Sequence, residues 1–161
     1  MITKQEMVKS FQEIVGTANV IDSESAQMAA DPIMVRTYEK AFDYKPQYMP
    51  LCTVKVHSTQ EVSEVLKYCT QQKLHVIPRT GGSSSEDQLL VIDDRTIFLD
   101  GLEMDQIKKI DKYNMVVTVE SGISMEVLEK KLEAQGLTTG HCPQSRPLAS
   151  VGGLVATRSI G

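Results

Sequence analysis

Two stretches of the chain carry small, polar and glycine-rich residues in patterns suited to holding an anion. The first is Pro78-Arg79-Thr80-Gly81-Gly82-Ser83-Ser84-Ser85. A phosphate needs several donors around it and no side-chain bulk in the way. Glycines let the main chain come close and take positive φ, and serine hydroxyls add donors. The loop is not a Walker A motif, because no Gly-Lys-Ser/Thr follows. Nor is it a dinucleotide fingerprint, because no third glycine opens a helix. Taken alone, its composition also describes a surface turn. The second stretch joins Thr138-Thr139-Gly140-His141-Cys142-Pro143-Gln144-Ser145 to Ser150-Val151-Gly152-Gly153. Here Gly152-Gly153 would admit a ring or a phosphate. Val151, Leu154 and Val155 would anchor a short helix with its N-terminal amides toward the ligand. This stretch, too, can be read as a loop and a helix start that merely pack. Together, the two would close on opposite sides of one extended ligand. His141 and Cys142 are neighbours on the chain and so point different ways. With two further ligands missing at useful spacing, no metal and no cysteine nucleophile is assigned.

The elements that must position these loops are legible from periodicity and capping. A helix is expected over about Lys4 to Val15, with Thr3 and Glu6 at capping-box spacing, Met7, Val8, Phe11 and Ile14 at helical intervals, and Gly16 ending it. From Thr17 to Pro50 the pattern fades into an extended arm, with Ala26 to Ala30 as a candidate short helix. Thr53 to His57 alternates as a strand, and Ser58 and Glu61 box the start of a helix with Val62, Val65, Leu66 and Cys69 on one face. Leu74 to Ile77 closes a β-α-β unit. Strands are expected at Leu89 to Ile92 and Thr96 to Leu99, and a hairpin at Ile107 to Ile110 and Met115 to Val119. A helix capped by Ser124 follows from about Met125 to Gln135, with Val127, Leu128 and Leu132 inward and Gly136 as terminator. The sum is an α+β chain with residues 1–50 as helix and arm and 51–161 as the main domain.

Bulk properties narrow the function. The chain is 41% hydrophobic and 24% charged, the composition of a soluble globular protein. Its net charge of −4 is spread rather than blocked, which leaves no basic footprint for nucleic acid. No apolar run is long enough to span a bilayer, and Met1 to Glu6 lacks a signal core. Cys52, Cys69 and Cys142 show no metal spacing, and Cys69 falls on an apolar helix stripe, which fits reduced thiols in the cytoplasm.

The order of these parts resembles a known family. The Ser58-Thr59-Gln60-Glu61-Val62 helix, the Val76-Ile77-Pro78-Arg79 strand end, the Gly/Ser loop, the hairpin, the Val119-Glu120-Ser121-Gly122 turn, the next helix and the Gly-Gly segment follow one another as in the FAD-binding domain of the vanillyl-alcohol oxidase and p-cresol methylhydroxylase superfamily. The run from Thr138 to Gly161, TTGHCPQSRPLASVGGLVATRSIG, is closer to the alkyl-dihydroxyacetonephosphate synthase-like branch, beside glycolate and D-lactate dehydrogenases. The resemblance implies a small mixed sheet with flanking helices of the p-cresol methylhydroxylase type, in two subdomains with FAD held between them. It implies that Pro78, Arg79, Thr80, Gly81, Gly82, Ser83 and Ser84 wrap the pyrophosphate through main-chain amides. Gln144, Ser145, Ser150, Val151, Gly152 and Gly153 would run beside the flavin, and Thr157, Arg158 and Ser159 would add a further contact.

Some positions depart from the family pattern. Thr80 and Asp87 stand where glycines are usual, Ala149 lacks a common hydroxyl, and the loop has no histidine for a covalent flavin link, which implies non-covalent FAD. The resemblance also implies that the rest of the second subdomain and a substrate domain lie beyond Gly161. The chain is therefore expected to be a truncated part of a flavin-dependent oxidoreductase, 2-hydroxy-acid dehydrogenase-like or alkyl-dihydroxyacetonephosphate synthase-like. It would be inactive alone and would carry no catalytic residue. The competing expectation is a non-enzymatic module with weak or no FAD binding, self-associating through the surface left by truncation.

Overall fold

A computed structural model describes residues 2–22, 48–84 and 88–160, so the expected helix at Ala26 to Ala30 and the whole of Asp87 lie outside the described residues. The chain packs as two compact units. The first comprises Met1–Arg79 and Ser84–Asp100, and the second Thr80–Ser83 and Gly101–Gly161.

The first unit opens with α1 (Lys4–Val15). Thr3 accepts from the Glu6 amide while the Glu6 carboxylate takes the Thr3 N–H, the full reciprocal box. Met7, Phe11 and Val15 form its buried stripe, and Gly16 ends it at φ +89°. A short 3-10 turn (Thr17–Asn19) leads into β1 (Val20–Asp22), which pairs antiparallel with β2 (Cys52–Lys55). α2 (Thr59–Gln72) starts at Ser58, whose hydroxyl accepts from the Glu61 N–H. Glu61 itself reaches back to the His57 amide, one residue before the cap, so that box is only half of the expected one. Val65 and Cys69 are buried, whereas Leu66 is 41% exposed and lies off the stripe predicted for it. The helix ends on Lys73, a non-glycine residue at φ 54°.

β3 (His75–Arg79) and β4 (Thr96–Asp100) complete a four-stranded sheet in the order β1-β2-β4-β3, with β4 parallel to both neighbours. The β2-α2-β3 unit is therefore a crossover into which the later strand inserts. Fully buried β4, Thr96 to Asp100, is the middle of this sheet. The strand expected at Leu89 to Ile92 does not form. Leu89 and Val91 pack on Phe98 while Leu90 and Ile92 are exposed, so the alternation is real. β4 already has partners on both edges, and this segment covers apolar surface as a turn and loop instead.

In the second unit β5 (Ile107–Asp111) and β6 (Val116–Val119) make the expected hairpin, with a register shift between Ile107 and Lys109. α3 (Met125–Glu133) buries Met125, Leu128 and Leu132, while Val127 faces outward at 49% exposure, against expectation. Leu137 N–H closes back on the Leu132 carbonyl, and Gly136 takes φ +73°. Ile123, Leu128 and Leu132 form the core of this unit, covered by Ile107, Ile110, Val117, Val119, Leu137 and Val151. α4 (Val151–Ala156) is the short terminal helix.

Candidate functional site

The glycine-bearing bends predicted from sequence meet inside the second unit. Ser150 is the post on which they meet. It forms an antiparallel bridge with Ser124 at the start of α3, and two main-chain bonds flank it: Met125 N–H to Ala149 C=O at 2.9 Å and Val151 N–H to Ile123 C=O at 3.0 Å. The residue is 2% exposed. Its hydroxyl accepts from the Gly81 N–H at 3.1 Å and shares a short hydrogen bond with the Thr80 hydroxyl. The close approach explains Gly81, because a Cβ there would lie 2.2 Å from the Leu148 carbonyl oxygen and 2.9 Å from Ser150 N. Gly82 follows at φ +62°, a backbone that glycine adopts without strain. Among the described residues, no partner engages the main-chain N–H of Gly82 or Ser83.

Two further glycines serve packing. A Cβ on Gly122 would meet the Gly101 carbonyl oxygen at 2.1 Å, and one on Gly152 would meet Ser121 Cβ at 2.6 Å. Gly153 differs, because a Cβ there would have Ser150 Oγ at 3.5 Å and Thr80 Oγ1 at 3.6 Å as its nearest neighbours, ordinary contact distances. The amides of Val151 and Gly152 donate to the Ile123 and Ser121 carbonyls. The start of α4 thus faces the protein's own main chain, contrary to the expectation that it faces a ligand.

The other predicted residues are distributed more widely. Pro78 is exposed at the end of β3, and the Arg79 guanidinium pairs with buried Asp100 at 3.3 Å in the first unit, where Ser84 also belongs. Gln144 is exposed, and half-buried Ser145 uses its carbonyl to accept from Leu148 and Ala149 N–H groups. The Thr157 hydroxyl donates to the Gly153 carbonyl at 2.9 Å, Arg158 is exposed at φ 51°, and Ser159 N–H closes on Leu154 C=O. Ala149 is buried, and its carbonyl holds the start of α3.

Sequence reading missed two residues that fasten the 138–150 segment to α3. Glu129 is buried, and its carboxylate accepts from Thr138 Oγ1 at 2.9 Å, Thr139 N–H at 2.8 Å and the Thr139 hydroxyl. Burial pushes its pKa up, but those bonds and the Arg146 charge outweigh it and hold the carboxyl below its ordinary value. The signal was present: Glu129 sits on the inward stripe of Met125, Leu128 and Leu132, where a carboxylate needs partners. Arg146 lies 2.8 Å from Glu126 and 3.5 Å from Glu133, tying the loop to the outer face of the same helix.

Known proteins share this fold. A family profile described as "FAD binding domain" matches residues 50–161. The chain belongs to the FAD binding domain family. The FAD-linked oxidoreductase YgcU of Escherichia coli (strain K12) is 40% identical over 160 residues, 99% of this chain and 33% of that protein. The mitochondrial D-lactate dehydrogenase [cytochrome] 1 of Saccharomyces cerevisiae is 27% identical, covering 100% of the chain and 32% of its own length. The chain thus spans about a third of the length of these curated relatives. In fold it matches a solved alkyldihydroxyacetonephosphate synthase with a TM-score of 0.86 at 24% identity, over 99% of this chain and 30% of that one. It matches p-cresol methylhydroxylase with a TM-score of 0.81 at 19% identity, over 98% and 30%. The mixed sheet with flanking helices is therefore of the p-cresol methylhydroxylase type, and FAD is the cofactor of this domain family. No helix among the described residues is long and apolar enough to cross a membrane. The site fits a diphosphate on two observations of its own: unengaged amides at Gly82 and Ser83, and a Gly153 whose missing side chain no protein atom requires.

Proposed function

We propose that the Thr80–Ser83 loop holds the pyrophosphate of FAD through the Gly82 and Ser83 N–H groups and the hydroxyls of Thr80 and Ser150, with Gly153 leaving room beside them and residues 51–161 as the cofactor domain of a flavin-dependent oxidoreductase. The observation that carries this reading is the union of the two bends on Ser150, with the next two loop amides left unengaged. Arg79 is paired with Asp100, so the arrangement grips an anion with the main chain rather than with a basic side chain. When bound, FAD supplies the electron-accepting ring, and the chain supplies binding and orientation. The histidine-free sequence of the loop supports non-covalent attachment, and free thiols at Cys52, Cys69 and Cys142 support a cytoplasmic setting. For the longer protein we propose a 2-hydroxy acid as the substrate class, on the names of its sequence relatives, with an alkyldihydroxyacetonephosphate synthase-like reaction as the alternative. Relatives named for D-lactate, glycolate and D-2-hydroxyglutarate match 96–100% of the chain, whereas the Dictyostelium discoideum alkyldihydroxyacetonephosphate synthase matches 70%.

The test is a titration of the purified chain with FAD, read by flavin fluorescence, beside Gly82→Val. At φ +62° valine is strained, so the variant is expected to lose FAD affinity while keeping its far-UV circular dichroism. Flavin released by acid precipitation would show non-covalent binding. Absence of binding by the unaltered chain at high FAD, or equal binding by Gly82→Val, overturns the reading.

A further inference from the structure

We infer that the Thr80–Ser150 hydroxyl pair is a latch that sets the loop for a phosphate and presents it with a single remaining O–H donor. This deepens the FAD reading and rests on it for the identity of the ligand. Each hydroxyl has one hydrogen to donate, and the short bond between Thr80 Oγ1 and Ser150 Oγ uses one of the two, whichever residue gives it. The Gly81 N–H also donates to Ser150 Oγ, filling an acceptor site without using a hydroxyl hydrogen. One O–H of the pair therefore remains for an outside acceptor, and a phosphate oxygen accepts such a bond well.

Ser150 is also anchored outside the Thr80–Ser83 loop, because its backbone is bonded to the start of α3 on both sides. Through Ser150, 70 residues away in sequence, the loop at Thr80-Gly81 is referenced to the packed start of α3. A glycine at position 80 could make no such bond, because it has no hydroxyl. Thr80 and Ser150 thus act together: Ser150 as a positioning residue, and the pair as the donor.

The decisive variants are Thr80→Val, which keeps the shape and removes the hydroxyl, and Thr80→Ser, which restores it. The intact 161-residue chain is used throughout. In the ligand-free chain, amide hydrogen exchange at Gly81, whose N–H is held by Ser150, is expected to speed up at least fivefold in Thr80→Val and to return to the unaltered rate in Thr80→Ser. In the FAD titration Thr80→Val is expected to weaken binding roughly tenfold or more, the effect of one charge-assisted hydrogen bond. Thr80→Ser should stay within about threefold, whereas Ser150→Ala, which also strands the Gly81 N–H, should do at least as much damage as Thr80→Val. If Ser150→Ala does not fold, the two Thr80 variants decide alone. Unchanged exchange and unchanged FAD affinity in Thr80→Val overturn the latch, as does a Thr80→Ser variant as weak as Thr80→Val. A chain that binds no FAD defeats the cofactor reading, and the exchange rates then still decide whether the latch exists.

Discussion

Gly81 and Gly153 lie in the same candidate site but are glycines for different reasons, and substitution separates them. A methyl on Gly81 would lie 2.2 Å from Leu148 O, a main-chain atom with no flexible end to yield. Gly81→Ala is therefore expected to push the loop off Ser150, with a stability loss of about 1–3 kcal/mol and loss of FAD affinity. A methyl on Gly153 meets nothing closer than 3.5 Å, and alanine is the better helix former by about 0.5–1 kcal/mol. Gly153→Ala should melt at the same temperature or slightly higher. Its FAD affinity should nevertheless fall, because the methyl would stand where the proposed ligand approaches the main chain. Thermal melts beside fluorescence titrations of the two variants check both expectations. Undiminished affinity in Gly153→Ala removes that residue from the site.

At the scale of elements, α3 carries the fastening of the candidate site, and its buried carboxylate makes that fastening depend on pH. The Glu129 pKa is depressed on folding below its ordinary value of 4.5, so the folded chain binds fewer protons there than the unfolded one. Its stabilising contribution is fully present above the unfolded pKa and is lost as pH falls through the folded one. Denaturant midpoints measured from pH 7 to pH 3 should thus drop more steeply for the unaltered chain than for Glu129→Gln. At pH 7 the variant should be less stable by about 2–3 kcal/mol, and the two curves should converge in acid. Parallel curves would mean that Glu129 is not the group being protonated. Sequence reading went far at this scale where the signal is local. α1 is bounded as read by Thr3, Glu6 and Gly16, and Met7 and Phe11 of the expected face are buried, while Val15 is buried in place of Val8 and Ile14, which are half-buried. It stopped where the deciding contact is distant. Nothing near Leu89 says that β4 already has two partners, and nothing near Thr96 says that β4 enters between β2 and β3. The two bends were legible as compositions, but the Thr80–Ser150 bond joining them spans 70 residues and has no periodic trace.

At the scale of the whole chain, the three thiols report on how the protein is packed. Cys52 in β2 and Cys69 in α2 are 0% and 2% exposed, and both belong to the first unit, whereas Cys142 is exposed and belongs to the second. Burial, with a smaller contribution from Cys69, pushes the Cys52 thiol up to about 12, and burial pushes Cys69 up to about 11. A thiol must ionise and be reached before it attacks a disulfide reagent. At pH 8 neither buried thiol meets either condition while α2 stays packed on the sheet. Native protein should therefore titrate one thiol rapidly with an aromatic disulfide reagent, Cys142→Ser should titrate none, and denaturant should release all the remaining thiols together. The slow phase in native protein then measures opening of the first unit, because Cys52 and Cys69 become reactive only when it opens. Leu128→Ala, made in the core of the second unit, provides the comparison: it should destabilise that unit by about 2–5 kcal/mol without exposing a second fast thiol at once. Two or more fast thiols in the unaltered chain would show that the α2 face carrying Cys69 is not closed, and the packing described for the first unit would have to be redrawn.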